Sequence, residues 1–127
     1  DIDHFKRIND THGHATGDDI LRSVASIIRD AIRETDFFGR VGGEEFMALL
    51  LATDEIQAES VAEKLRSIVE STGRAPVGTV TISIGACIVQ TSERNPDDAL
   101  KRADEALYRA KAAGRNQVVV SNESTRP

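Results

Sequence analysis

The chain has 127 residues, a net charge of −5 and one cysteine. This length fits a single domain with one hydrophobic core, and 39% apolar with 29% charged residues is ordinary for a globular chain. The longest apolar run, residues 46–52, is too short for a membrane span, and no signal segment opens the chain. The acidic balance argues against a duplex nucleic-acid binder. The lone Cys87 excludes an internal disulfide and fits a cytoplasmic setting.

The first third of the chain predicts two helices. Asp3 is a candidate cap for a short helix that carries Phe5 on its apolar face. Small and polar residues over 11–17 predict a loop. The apolar spacing over 18–33 then predicts a long helix with two acids in its first turn, where the helix dipole favours them.

A hairpin is predicted next, because strand-like runs over 37–41 and 45–51 flank the turn-forming pair Gly42-Gly43. The second run is apolar on both faces, which predicts a central, buried strand.

The rest of the chain predicts two more helices and two more strands, followed by a polar tail. These elements are a helix from a capping box at Asp54 and Gln57 to residue 70, a strand over 79–84 with a bulge at Gly85, a helix from Asn95-Pro96-Asp97 to about residue 114, a strand over 117–120 and a tail over 121–127. Residues 1–120 are therefore predicted to form one mixed α/β domain with an antiparallel component.

Acidic residues stand at the start of the chain and in the hairpin turn. Asp1 and Asp3 together with Glu44 and Glu45 could supply the oxygen ligands of a magnesium site, since Mg²⁺ takes one or two carboxylates with phosphates and water. Caps and turns also favour acids. The adjacent glycines and the mutual repulsion of two neighbouring acids make the metal interpretation about as favourable as that alternative.

Asn9, His14 and Asp18 surround the predicted loop, and amide and carboxylate groups together can recognise guanine. Spacing alone favours helix capping and turn formation for these residues. The histidines His4, His12 and His14 lack a nearby cysteine and an obvious fourth ligand, which disfavours a zinc site.

Basic residues at the two ends of the chain could hold a triphosphate. They are Lys6, Lys111 and Arg115. Complementation of a helix end by cations is the more common role of such residues. Arg33 and Asp36, considered alone, also indicate only a charged helix end.

Taken together, these motifs resemble the GGDEF family of diguanylate cyclases. The resemblance rests on DIDHFKRIND at residues 1–10, GH at 13–14, GD at 17–18, GGEEF at 42–46 and the closing run at 102–116. It implies a fold akin to nucleotide cyclases and polymerase palms, with a central, mostly antiparallel, five-stranded sheet flanked by helices. Glu44 departs from the aspartate of the family name, although GGEEF is an accepted active variant.

The resemblance implies that a homodimer condenses two GTP molecules into cyclic di-GMP and two pyrophosphates. Asp1, the carbonyl of Ile2 and Glu44 would hold Mg²⁺ or Mn²⁺. The catalytic residues would be Glu44, as proton acceptor, with Glu45 and Lys6. Asn9 and Asp18 would recognise guanine with His14 near the nucleoside, and Lys111 and Arg115 would hold the outer phosphates.

The resemblance also implies a product-inhibition site at Arg33-x-x-Asp36, where cyclic di-GMP would bind; Lys64 and Arg66 are both open as its further basic residue. The family fold begins upstream of Asp1 with a helix and a first strand. The chain is therefore expected to lack that part and to come from a longer protein with an upstream regulatory domain. The alternatives are a catalytically silent module that senses GTP or cyclic di-GMP, and a different cyclase or polymerase palm.

Overall fold

In the computed structural model, which describes residues 1–90 and 92–121, helices and short strands alternate. The described residues form four helices and four strands, in the order α1 (Phe5–His12), α2 (His14–Ala31), β1 (Phe37–Gly42), β2 (Glu45–Leu49), α3 (Glu55–Ser71), β3 (Ile84–Ala86), α4 (Pro96–Ala112) and β4 (Val118–Val120). This order confirms the predicted mixed α/β class. None of the helices described here is long and apolar enough to cross a membrane.

The strands form two small sheets. β1 and β2 pair as an antiparallel hairpin in which Phe37 faces Leu49, whereas β3 and β4 are parallel, with Ile84 opposite Val118. The start of the chain joins them: Ile2 forms an antiparallel bridge with Ile82 and donates its N–H to the Glu44 carbonyl at 3.3 Å. The first three residues therefore lie between the hairpin turn and the segment that leads into β3.

The hairpin is confirmed, but the prediction of a central, buried second strand is wrong. Met47 is 47% exposed and Leu49 is 49% exposed. Among the described residues β2 pairs with β1 alone, so its other edge has no strand partner, and of its side chains Phe46 is the one that packs against the core. The described residues thus form two two-stranded sheets.

The core lies between α1, α2, α3 and the segment before β3. It is built from Ile2, Phe5, Ile8, Ile20, Leu21, Val24, Ile28, Leu65, Val69, Val80 and Ile82. Burying each of these side chains contributes about 1.5–3 kcal/mol. Because Ile2 and Phe5 belong to this cluster, the start of the chain and α1 are fixed against the rest of the domain.

The second helix begins earlier than its sequence pattern predicts. Gly13, with φ 90°, separates α1 from α2 by itself, so the predicted loop over 11–17 is mostly helical. Gly17 lies inside α2 because its missing side chain lets Asn9 approach: a Cβ at Gly17 would lie 1.8 Å from Asn9 Oδ1. Asp18 and Asp19 consequently lie beyond the first turn, where the dipole effect expected for them is weak.

The two later helices begin as predicted. Asp54 Oδ1 accepts from the Gln57 N–H at 2.8 Å while Gln57 Oε1 accepts from the Asp54 N–H at 3.1 Å, which completes the capping box of α3. Asn95 Oδ1 accepts from the Asp97 N–H at 3.0 Å, directly before α4. These caps fix where both helices enter the fold.

The strand predicted over 79–84 is reduced to the bridge at Ile82 and the first residue of β3. Ser83, within this segment, is completely buried. Gly85 forms no bulge and instead lies in regular parallel pairing. A Cβ there would lie 2.2 Å from the Leu107 backbone nitrogen, so this glycine allows α4 to pack on the sheet.

The predicted tail lies largely outside the described residues, which end at residue 121. Ser121 itself is buried, and its N–H donates to the Ala86 carbonyl at 2.8 Å. Ser121 is therefore fixed to the end of β3.

Candidate active site

A pocket of about 170 Å³ opens where the start of the chain, the first turn of α1, the hairpin turn and the end of α4 meet. It is lined by Asp1, Ile2, Asp3, His4, Phe5, Lys6, Glu44, Lys111 and Arg115. Residues separated by more than a hundred positions in the chain thus contribute acids and bases to one pocket. The sequence-predicted residues Asp1, Ile2, Lys6, Glu44, Lys111 and Arg115 are brought together here.

The side chain of Asp1 is buried in this pocket, as is that of Asp3. The Asp1 side chain is 2% exposed, and its Oδ2 forms an ion pair with Lys111 Nζ. Oδ1 is also buried, and no described residue donates a hydrogen bond to it. A buried carboxylate oxygen without a donor carries a desolvation cost, which a bound cation would offset.

The donor set suits a hard divalent cation. The carboxylates of Asp1 and Glu44 line the same pocket as Ile2, and the Ile2–Glu44 backbone hydrogen bond ties the hairpin turn to the start of the chain. Two carboxylates and a carbonyl are a suitable partial shell for Mg²⁺, which completes its coordination with water and phosphate oxygens. In the described part of the chain no three His, Cys, Asp or Glu side chains gather around a possible metal position.

Glu45 lies near this pocket, where its charge acts on the Asp1 amino group as that of Glu44 does. It begins β2, is exposed, and does not belong to the pocket lining, whereas Glu44 does. Glu44 belongs to the hairpin turn and Glu45 is the first residue of β2, so the two neighbouring acids lie in different local structures.

The predicted guanine-binding residues lie further along α1 and α2. Asn9 is one helical turn beyond Lys6, and its Oδ1 is buried against Gly17 with no hydrogen-bond donor among the described residues. His14 and Asp18 are exposed and one turn apart on α2. These three residues do not line the 170 Å³ pocket. They form an adjoining group, which α1 connects to the pocket through Lys6.

Asp3 has a role that the sequence reasoning missed. No side chain caps α1, whose N-cap residue is His4 with φ 57°. The Asp3 carboxylate instead accepts from Thr81 Oγ1 at 2.8 Å, Ser83 Oγ at 2.6 Å and the Asn116 N–H at 3.0 Å. The two hydroxyls on one face of the segment before β3 were the sequence signal for such an acceptor.

Arg33 and Asp36 form a second site, at the far end of the hairpin. Arg33 Nε and Nη2 donate to the two oxygens of Asp36 at 3.2 and 3.0 Å, and Nη2 also donates to Thr53 Oγ1 at 3.1 Å and to the Leu51 carbonyl. The Arg33 hydrogen bonds, together with one from the Leu51 N–H, hold the pKa of Asp36 below its ordinary value. Both charged residues line a pocket of about 280 Å³.

The two candidates for a further basic residue at that second site are not part of its lining. Arg66 donates to Glu63 and Glu70 and to Asn116 Oδ1, the last at 2.9 Å. Neither Arg66 nor Lys64 lines the pocket that contains Arg33. Arg66 is thus directed toward the loop between α4 and β4.

Comparison with known proteins identifies the family. A family model described as "Diguanylate cyclase, GGDEF domain" matches residues 1–117. The chain is 49% identical over 125 residues to the probable diguanylate cyclase DgcT of Escherichia coli (strain K12). The aligned region covers 94% of this chain and 28% of that protein. It is 43% identical over 125 residues to the response regulator PleD of Caulobacter vibrioides (strain NA1000 / CB15N), with 94% of this chain and 27% of that protein covered. The chain spans about a quarter of the length of these curated relatives.

Solved structures show the same fold. The active GGEEF domain of a diguanylate cyclase from Vibrio cholerae superposes with a TM-score of 0.91 at 34% identity, over 98% of this chain and 80% of that chain. The GGDEF domain of DgcB from Caulobacter crescentus, solved in complex with c-di-GMP, gives a TM-score of 0.90 at 36% identity over 97% of this chain and 75% of that chain. With a family model matched along nearly its whole length, this chain belongs to the GGDEF domain family of diguanylate cyclases.

Proposed function

We propose that this domain is a diguanylate cyclase that condenses two GTP molecules into cyclic di-GMP and releases two pyrophosphates. The observation that carries the proposal is the 170 Å³ pocket, which is lined by the acidic residues Asp1 and Glu44 and by the basic residues Lys6, Lys111 and Arg115. Carboxylates beside cations are the combination that a metal–triphosphate substrate requires.

The cations of the pocket would bind the triphosphate. Lys111 and Arg115 would hold the β- and γ-phosphates, so the leaving pyrophosphate remains bound while its bond to the α-phosphorus breaks. Lys111 pairs with Asp1 in this structure. Binding of substrate would therefore exchange that ion pair for one between Lys111 and a phosphate.

A divalent cation, Mg²⁺ or Mn²⁺, would be held by Asp1, the Ile2 carbonyl and Glu44, and would supply positive charge beside the reacting phosphate. The unpartnered Asp1 Oδ1 supports this assignment.

In the chemical step, the 3′-oxygen of one GTP attacks the α-phosphorus of the other. Glu44 accepts the 3′-hydroxyl proton, and Lys6 stabilises negative charge that develops on the phosphate oxygens. Glu45, exposed beside Glu44, would act from outside the pocket lining. Each subunit would hold one GTP, so a homodimer is needed to align the two reacting groups.

Guanine would be recognised by Asn9 and Asp18, with His14 near the nucleoside. The position of Asn9, one helical turn beyond Lys6 of the pocket, supports this role, because an amide side chain can both donate to and accept from the edge of guanine. These residues would favour GTP over ATP.

The Arg33–Asp36 site would bind the product and inhibit the enzyme. The Arg33 side chain is 56% exposed at the second pocket, and arginine can bind both guanine and phosphate through paired hydrogen bonds. The product would displace the Leu51 carbonyl and Thr53 from Arg33. We place the domain in the cytoplasm of a bacterial cell, within a longer regulatory protein.

The two sites can be separated by matched variants. Glu44→Ala should abolish formation of cyclic di-GMP from GTP while leaving binding of added cyclic di-GMP intact. Arg33→Ala should do the reverse: turnover persists and product inhibition is lost. The surface variant Glu59→Ala is the control for both assays.

Turnover by Glu44→Ala would contradict the catalytic assignment. If unmodified protein binds GTP or cyclic di-GMP with no turnover at any protein concentration, the domain is a nucleotide sensor and not an enzyme.

A further inference from the structure

The loop after α4 has an unusual backbone. Gly114, Arg115 and Asn116 have φ values of 121°, 65° and 47°, so three consecutive residues have positive φ and two of them carry side chains. Positive φ suits glycine and is tolerated by asparagine, but it is unfavourable for arginine. Such a conformation persists only where surrounding contacts hold it.

Asn116 is held from two directions. Its N–H donates to Asp3 Oδ2 at 3.0 Å. Its side-chain oxygen accepts from Arg66 Nη1 at 2.9 Å, and its side-chain nitrogen donates to Glu70 on the same helix. Asn116 therefore connects α3 with the acid-bearing start of the chain.

This loop determines where Arg115 lies. Lys111 and Arg115 would be neighbours four residues apart on a continuous helix, but α4 ends at Ala112. Arg115 nevertheless lines the 170 Å³ pocket with Lys111. Its position follows from the backbone of the loop and not from helical periodicity.

We infer that Asp3, Arg66 and Glu70 are positioning residues that hold Arg115 toward the outer phosphates of the nucleotide by fixing Asn116. The inference rests on the proposed function for the assignment of Arg115 to those phosphates. Asp3 acts through hydrogen bonds to the Asn116 backbone and to two hydroxyls, and the two α3 residues act through the Asn116 side chain.

Equilibrium binding of two unreactive nucleotides tests this role. The probes are 3′-deoxy-GTP, which lacks the attacking hydroxyl, and 3′-deoxy-GMP, which also lacks the outer phosphates, each with Mg²⁺. Asn116→Gly keeps the positive φ but removes the side-chain contacts, and Glu70→Ala removes one of those contacts from α3. Both variants should weaken 3′-deoxy-GTP binding about fivefold or more and leave 3′-deoxy-GMP binding unchanged.

A double-mutant cycle supplies the decisive readout. If Asn116 and Glu70 act through Arg115, then adding either variant to Arg115→Ala should cause no further loss of 3′-deoxy-GTP affinity. Glu59→Ala, an exposed change on the same helix, should leave the affinity for both nucleotides unchanged. Thermal unfolding identifies any variant that fails to fold. If Asn116→Gly fails to fold, Glu70→Ala alone provides the test.

Additive losses with Arg115→Ala, or equal losses for both nucleotides, would overturn the positioning role. Unchanged affinity for 3′-deoxy-GTP in both folded variants would overturn it as well. Failure of the unmodified chain to bind 3′-deoxy-GTP would instead overturn the proposed function, and the positioning role with it.

Discussion

At the scale of single residues, Gly17 matters because the Asn9 side chain lies against it. A Cβ at Gly17 would lie 1.8 Å from Asn9 Oδ1 and 3.3 Å from Phe5 Cζ. Gly17→Ala should therefore displace the Asn9 side chain, which can move, at a modest cost in stability. We predict that competitive binding assays will show a several-fold loss in the preference for GTP over ATP.

Gly39→Ala is the matched control for that change. A Cβ at Gly39 would meet no atom within 4 Å. The control should retain the nucleotide preference, and an unchanged preference in Gly17→Ala would show that Asn9 does not recognise guanine.

The carboxyl of Asp36 predicts a specific pH dependence. Its pKa is lowered in the folded protein, chiefly by hydrogen bonds from Arg33. The stabilisation is therefore complete above the unfolded-state pKa of about 4 and is lost as the pH falls through the lower folded value. In urea unfolding, the stability difference between the unmodified protein and Asp36→Asn should shrink over this acidic range.

Asp19→Asn provides the comparison, since the Asp19–Arg22 pair is exposed on both sides and contributes little. A stability difference between Asp36→Asn and the unmodified protein that stays constant down to pH 2 would contradict the role given to the Arg33–Asp36 pair.

At the scale of elements, the contact between β3 and α4 depends on Gly85. A Cβ there would lie 2.2 Å from the Leu107 nitrogen and 2.3 Å from the Ala103 carbonyl oxygen, and backbone atoms cannot rotate away. Gly85→Ala should therefore lower the free energy of unfolding by about 3 kcal/mol, measured by chemical denaturation.

Gly73→Ala is the control, because a Cβ at that position meets nothing within 4 Å. If Gly85→Ala is as stable as this control, α4 is not packed against β3 as closely as described.

Local signals predicted the helix starts that depend on neighbouring residues alone. The capping box at Asp54 and the cap at Asn95 are such signals, and both are confirmed. The predicted start of α2 was wrong because Gly17 lies within the helix, where it allows close contact with Asn9 of α1, and does not belong to a loop. No local pattern around residue 17 contains that information.

In the candidate site too, the residues that belong to sequence motifs were predicted, whereas a role that depends on residues distant in the chain was not. The resemblance to the GGDEF family named the pocket residues Asp1, Glu44 and Lys111, which the structure brings together. The role of Asp3 could not be read from its surroundings, because its hydrogen-bond partners Ser83 and Asn116 are far along the chain.

At the scale of the whole molecule, basic side chains from α1 and from the region at the end of α4 line one pocket of an acidic chain. The net charge is −5, yet Lys6, Lys111 and Arg115 lie together beside Asp1 and Glu44. A local cationic group offsets the unfavourable field that an acidic protein presents to a triphosphate. The fold, and not the overall composition, thus brings these cations together.

Diguanylate cyclase activity is most directly measured by mass spectrometry of the products formed from GTP and Mg²⁺, at a protein concentration high enough for dimers. Parallel reactions contain ATP in place of GTP, or the Glu44→Ala variant in place of the unmodified protein. We predict that the reaction with GTP yields two pyrophosphates for each cyclic di-GMP. The reaction with ATP and the reaction of Glu44→Ala with GTP should yield no cyclic product. Unchanged GTP in the presence of folded, dimeric protein would contradict the proposed activity.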